Sequence, residues 1–245
     1  MSQQDNGQRF TETHHALLFG WLSKALIEEV GEQKGKVVVS KALRKYGEER
    51  GRRMALRAKD NGHALDVANF FAYAEYRPIT GKMKAKVTEK SRNFTLEASR
   101  CPWCDAWNEN GLLPYGRLYC LDIDEAVLRG FNTNLKMNIE GTLSNGAEKC
   151  KLVYREANLT LFSYLLVGYK RAIRPGKKVV MPWEYHVGHL FKTFEISILE
   201  DLGELGRKAF ESALREFSKR YGESATQQVL AFRTTDFTKI ANWGM

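Results

Sequence analysis

The densest chemistry in the chain lies around its four cysteines. Cys101-Pro102-Trp103-Cys104 comes first, then Tyr119-Cys120-Leu121-Asp122-Ile123-Asp124, then Gly130-Phe131-Asn132, then Gly146 four residues before Cys150. If the second run is helical, Cys120 and Asp124 share one face at i and i+4. There the thiol is a candidate nucleophile or metal ligand, and the carboxylate a base or orienting group. A packing thiol and a helix-capping aspartate fit the same pattern.

Cys101-x2-Cys104 has the spacing of a zinc knuckle, and Cys120 and Cys150 would have to complete a four-thiolate site through tertiary folding. Zinc is therefore a possible cofactor, beside a redox dithiol or plain packing of the four thiols. His14 and His186 each follow a glutamate by two residues, Glu12 and Glu184. Both are candidates for acid–base work near neutral pH, or for a shared helix-start motif. Arg100 and Arg117 are candidate clamps for a substrate carboxylate, because a guanidinium binds carboxylate with two parallel bonds.

The elements that would position these groups can be read from pattern. Glu12-Thr13-His14 followed by Leu18-Phe19 is echoed by Glu184-Tyr185-His186 followed by Leu190-Phe191. The echo continues through Leu26–Glu32 against Ile198–Glu204, then with small slips to Tyr46-Gly47-Glu48 against Tyr221-Gly222-Glu223. The expectation is an internal repeat of a helix-Gly-helix unit. Leu17, Leu18, Trp21, Leu22, Ala25 and Leu26 predict an amphipathic helix, with a second over 36–58. Leu190, Phe194, Ile198 and Leu202 do the same late in the chain, followed by a helix over 207–221.

Between the two units the period changes. Alternation predicts strands over 83–87, 94–98, 135–143 and 149–155, the last two joined by a turn at Ser144-Asn145-Gly146. A short helix is expected over 121–129, with Asp122 and Asp124 as caps. Leu159–Val167 reads as buried, and Arg174-Pro175-Gly176 as a turn. The fold class is α+β: a central antiparallel sheet flanked by helices, in one domain over 1–245, with helical units at 12–58 and 184–225 and the sheet and cysteine region at 69–156.

Tyr119-Cys120 with Asp124, then Gly130-Phe131-Asn132, then Gly146-x3-Cys150 resembles the L-2-amino-thiazoline-4-carboxylic acid hydrolases. The helix-Gly-helix opening, with Gly31, Tyr46-Gly47 and Gly51, is similar to theirs. The resemblance implies a hydrolase that opens a small cyclic carboxylated C–N compound by adding water at an amidine-like carbon. It implies Cys120 and Asp124 as catalytic groups assisted by His14 or His186, and Asn132 as a substrate-binding group. The Cys-Pro and Gly-x3-Cys pieces are also similar to 4-vinyl-reductase-type small-molecule-binding domains. A non-catalytic binding or sensor domain is therefore the alternative, and an isomerase or lyase on the same scaffold a third. The Tyr-x-Ser-x-Arg of the related haem-binding domains is not found, so no haem is expected.

The formal charge of +9 invites a nucleic-acid reading. Lys and Arg are interleaved with Glu over 34–53 and 207–220, which reads as solvated helix faces. The expected partner is a small-molecule substrate, with no nucleic acid and no membrane; a homo-oligomer is left open. The polar start, Met1–Arg9, reads as no secretory leader, and the location expected is cytoplasmic.

Overall fold

The structure is a computed structural model and describes residues 9–172 and 179–240. The turn expected at Arg174-Pro175-Gly176 lies outside the described residues. Helix α1 spans Glu12–Val30. It starts at Thr11, whose hydroxyl accepts the Thr13 N–H while the His14 ring accepts the Thr11 N–H, so two of the first-turn donors are satisfied reciprocally. The expected amphipathic stripe understates its burial. Nearly every residue from His14 to Leu26 is buried, because α1 is the central rod against which the other long helices pack.

Gly31 (φ 84°) ends α1, and α2 follows at once over Glu32–Asp60. The later part of the chain has the same form: α8, Trp183–Leu202, ends at Gly203 (φ 54°) and α9, Glu204–Leu230, follows. Both glycines hold a left-handed backbone that a side chain would strain, which lets each helix pair reverse within one residue. Inside α9 the helix breaks at Gly222 (φ 86°), where the pattern predicted its end. A short 3-10 turn, Ala231–Thr234, follows near α8.

The middle of the chain carries α3 (Val67–Ala72), β1 (Lys84–Lys90), β2 (Phe94–Arg100), α4 (Pro102–Glu109), α5 (Leu113–Gly116), α6 (Tyr119–Phe131), β3 (Lys136–Ile139), β4 (Cys150–Arg155) and α7 (Leu161–Ala172). The sheet is antiparallel throughout in the order β1-β2-β4-β3. Ala98 pairs with Cys150, Leu96 with Leu152 and Phe94 with Tyr154. In that register one face of β2 and β4 is apolar or aromatic and looks toward α2, α3 and α6. The other face carries Glu97, Lys149 and Thr95, tied by Lys149–Glu97 (2.8 Å) and Thr95–Glu89 (3.0 Å) bonds. Strand β3 is shorter than expected, and the β3–β4 connection turns through a 3-10 turn, Leu143–Asn145, with Gly146 left-handed (φ 84°).

Two expectations are corrected here. Asp122 and Asp124 do not cap α6; they lie inside it, because the helix begins before them at Tyr119. The apolar run ending at Val167 is not buried as a whole. Leu159 is, but Phe162 and Leu165 of α7 are 75% and 62% exposed, since α7 packs on α3 by its opposite side. Among the described residues, no helix is long and apolar enough to cross a membrane.

Candidate functional site

Helices α2 and α6 pack backbone to backbone, and this contact builds the site. A Cβ added at Gly47 would stand 2.6 Å from the Ala126 Cβ, and one at Gly130 would stand 2.2 Å from the Glu48 carbonyl oxygen. No side chain fits at either place, so the helices close until their neighbouring residues face one space. That space is a cavity of about 360 Å³ between the helices and the apolar face of the sheet. This is within the ordinary range for a small-molecule site.

Most of its wall is apolar or aromatic: Phe70, Phe71, Met83, Leu96, Leu152 and Tyr154 among others. Set into that wall are Arg50 from α2, Tyr119, Cys120 and Asp124 from α6, and Tyr76 from the segment after α3. Glu12 anchors that segment, its carboxylate accepting the Ile79 (3.1 Å) and Thr80 (2.9 Å) N–H groups.

Arg50 is buried, 5% exposed, and its guanidinium carbon lies 3.5 Å from the Tyr76 ring centroid. Among the described residues it makes no hydrogen bond and no ion pair, and its Nε is sealed without a partner. A buried cation is stable only when something neutralises it, and the cavity is where that group would sit. Asp124 also opens on the cavity and is unpaired among the described residues. Burial pushes its carboxyl up to about 6 and Arg50 draws it back only in part. A carboxyl so shifted can exchange a proton near neutral pH.

Cys120 lies one turn before Asp124 on the same face, as the spacing predicted. Burial pushes its thiol far above the ordinary range, against a hydrogen bond with Ser144 that pulls it down, so at rest it is a neutral S–H. Cys101 and Cys150 also line the cavity and Cys104 does not. Burial raises all three, Cys101 to about 12. The sulfurs are held one by one; Cys150 accepts the Leu143 N–H at 3.3 Å. Among the described residues no group of three or more His, Cys, Asp or Glu is arranged to hold a metal ion.

Of the two histidines singled out by sequence, neither lines the cavity. His14 caps α1 and stacks on Tyr221 at 4.0 Å; burial, helped by Arg220, lowers it to about 4. His186 packs edge-on against Tyr76 at 4.3 Å, with Nε2 3.2 Å from the Glu75 carbonyl oxygen. The residue after His14 sits closer to the cavity wall, against Tyr76, Trp103 and Tyr119. His15 accepts the Trp103 indole N–H at Nδ1 (3.1 Å) and lies 2.9 Å and 3.0 Å from the Tyr46 and Tyr76 hydroxyls at Nε2.

The other expected binding residues are elsewhere. Asn132 ends α6, bonding the Leu65 carbonyl oxygen (2.8 Å) and the Asn134 N–H (3.0 Å). Arg100 pairs with Asp105 at 2.8 Å, and Arg117 is exposed.

The cation of the site, Arg50, was hidden in a run that read as a solvated face. Arg53 and Arg57, one and two turns on, are also buried: both bind Glu75, Arg53 with two bonds of 3.0 Å and 2.8 Å. The signal lay in spacing. Tyr46, Arg50, Arg53 and Arg57 recur at 3 and 4 along α2, on the side that meets Glu75, Tyr76 and α8, next to the side that Gly47 and Gly51 bring against α6.

Residues 11–154 match the family model of the L-2-amino-thiazoline-4-carboxylic acid hydrolases. The chain belongs to this family. The match takes in every cavity-lining residue named above, from Arg50 to Tyr154, while the α8–α9 unit with His186 lies beyond it. No curated protein and no solved structure matches the chain. The stretch that matches the amino-thiazoline-carboxylate hydrolase family thus runs from α1 into β4 and includes α2, α6 and the strands that line the cavity.

Proposed function

We propose that this chain hydrolyses a small cyclic compound that carries an amidine-like carbon and a carboxylate, of the 2-amino-thiazoline-4-carboxylate type, with Arg50 and Asp124 as its principal residues. The observation that carries the reading is the pair of opposite charges, each without a hydrogen bond or ion pair among the described residues, set in one largely apolar cavity. A carboxylate satisfies Arg50, and the apolar wall strengthens that bond by excluding water. An amidine-like carbon with its attached nitrogens is held near Asp124.

The reaction needs a water activated at that carbon. Asp124, ionised above about pH 6, takes the proton as the water oxygen bonds to carbon. The C=N pair moves to the ring nitrogen, which takes that proton from Asp124; the ring C–N bond then breaks as the added hydroxyl becomes a carbonyl and gives its proton to Asp124, and the bond pair goes to the nitrogen, which takes up a second proton. Cys120 in its neutral form is better suited to line the attack than to make it; a covalent route would first have to move the thiol proton to a far weaker base.

The test is turnover of L-2-amino-thiazoline-4-carboxylate by the purified protein. Ring opening that is lost in Asp124→Asn and retained in Cys120→Ala is the expected result. Binding of the thiazoline without turnover would replace the hydrolase by a binding domain. Loss of turnover in Cys120→Ala with Asp124→Asn active would move the chemistry to the thiol.

A further inference from the structure

A chain of three tyrosines runs from the buried core to the cavity. The Tyr46 hydroxyl contacts that of Tyr76, and the Tyr76 hydroxyl lies 3.5 Å from that of Tyr119, which lines the cavity. A row of hydroxyls can be ordered in either direction, and here the direction is set from the buried end. The Trp103 indole nitrogen can only donate, so the His15 Nδ1 that receives it must be the acceptor. The proton of the neutral ring is then on Nε2, and His15 donates to the Tyr46 and Tyr76 oxygens.

Tyr46 is wholly buried, and its hydroxyl has hydrogen-bond contacts only with His15 and Tyr76 among the described residues. Since His15 is a donor, the Tyr46 proton must go to Tyr76 or be left unsatisfied. Tyr76 then passes its own proton toward Tyr119, and the Tyr119 proton is the one left to point outward. Arg50 stands beside this end of the row and Asp124 within its electrostatic reach.

Resting on the hydrolase reading above, we infer that Tyr119 is the acid that protonates the departing ring nitrogen, and that His15 is the positioning residue that aims it. The step balances. The Tyr119 O–H bond breaks and an N–H bond forms, while the electron pair of the breaking ring C–N bond stays on nitrogen. The phenolate left behind is held by the Arg50 cation and regains the proton that Asp124 takes from the added hydroxyl as it becomes the carbonyl. Burial raises the Tyr119 hydroxyl well above its ordinary range and Arg50 lowers it in part. A nitrogen expelled from a tetrahedral carbon is a stronger base still, so the transfer runs downhill.

Two measurements test this. The first reads the tautomer by nitrogen-15 correlation spectra of histidine-labelled protein, assigned with His15→Gln. A neutral Nε2–H ring from pH 5 to 9 is expected; an Nδ1–H or charged ring overturns the relay, whatever the substrate. The second is kinetics on L-2-amino-thiazoline-4-carboxylate. Tyr119→Phe should lower kcat roughly 10²–10⁴-fold, as for loss of a general acid, with KM little changed. His15→Leu should lower kcat with KM unchanged, and His15→Gln, which keeps an N–H near the Nε2 position, should restore most of the loss. A Tyr119→Phe enzyme with wild-type kcat overturns the inference while leaving the hydrolase reading intact. No turnover by the wild-type protein overturns that reading and the acid with it.

Discussion

Gly51 on α2 and Val127 on α6 touch through their backbones: a Cβ at Gly51 would stand 2.1 Å from the Val127 carbonyl oxygen. Arg50 precedes the glycine and Asp124 lies one turn before the valine, so this contact, with those at Gly47 and Gly130, helps set the separation of the two charges in the cavity. Gly51→Ala must push the helices apart. A loss of roughly 1–3 kcal/mol or more is expected from overpacking, with loss of ligand binding, read from denaturant melts and calorimetry. An unchanged melt would mean that α2 and α6 are not in contact as described.

Among the described residues Arg50 is held in the core with no ion pair or hydrogen bond, and this is costly in the free protein. Arg50→Met should therefore raise the melting temperature while weakening binding of a carboxylated ligand. Loss of a charge-assisted, water-shielded bond of this kind is worth about 2–5 kcal/mol of binding, which is tens- to thousands-fold in Kd. Calorimetry with the thiazoline carboxylate and with its carboxamide separates the effects. Equal binding of both by the wild-type protein would rule out Arg50 as the carboxylate clamp.

Asp124 has a folded-state pKa raised from 3.8 to about 6, mainly by burial. The folded protein thus binds a proton more readily than the unfolded chain over that range. This group adds stability as pH falls from above 6 toward 4, and its penalty is complete above about 6. Activity runs the opposite way, since the base must be ionised: kcat should rise through about pH 6 to a plateau. Asp124→Asn should be more stable than wild type at pH 8, by something on the order of 1–3 kcal/mol, and inactive. A variant less stable than wild type at pH 8 would show that the carboxylate has a partner in the fold.

Glu75 shows the reverse sign. Burial alone would raise its carboxyl, but Arg53 and Arg57 together hold it down at about 2. Its contribution to stability is present above its unfolded value of about 4.5 and is lost as pH falls toward 2. Glu75→Gln leaves two buried guanidinium groups short of a counter-charge and should cost about 3–5 kcal/mol. A urea melt at pH 7 that moved by less than a tenth of that would refute the pairing.

His14 and His15 are adjacent and should behave differently. His14→Ala removes a helix cap and a stack on Tyr221, worth about 1 kcal/mol, and should leave turnover unchanged. Loss of turnover in a folded His14→Ala protein would return that histidine to the site.

How much could be read beforehand varies with the range of the interaction. The α+β class, the four strands, both helix-Gly-helix units, the break at Gly222 and the shared face of Cys120 and Asp124 are local in origin. They follow from residue period, from glycine, and from neighbours three or four apart, and one chain displays all of these. The family followed from the same stretch, because its marks are short motifs. Arg50, Tyr76 and His15 were not legible. Their roles depend on which helix face is buried, and that is settled by partners far away in sequence: Ala126, Val127 and Gly130 against α2, and Trp103 against His15. A charged run such as 44–57 looks the same in sequence whether water or protein covers it. Neighbours distant in sequence remove that water, α6 and the sheet around Arg50, Glu75 and α8 around Arg53 and Arg57, and it is this desolvation that sets Arg50 and Asp124 apart as a candidate site.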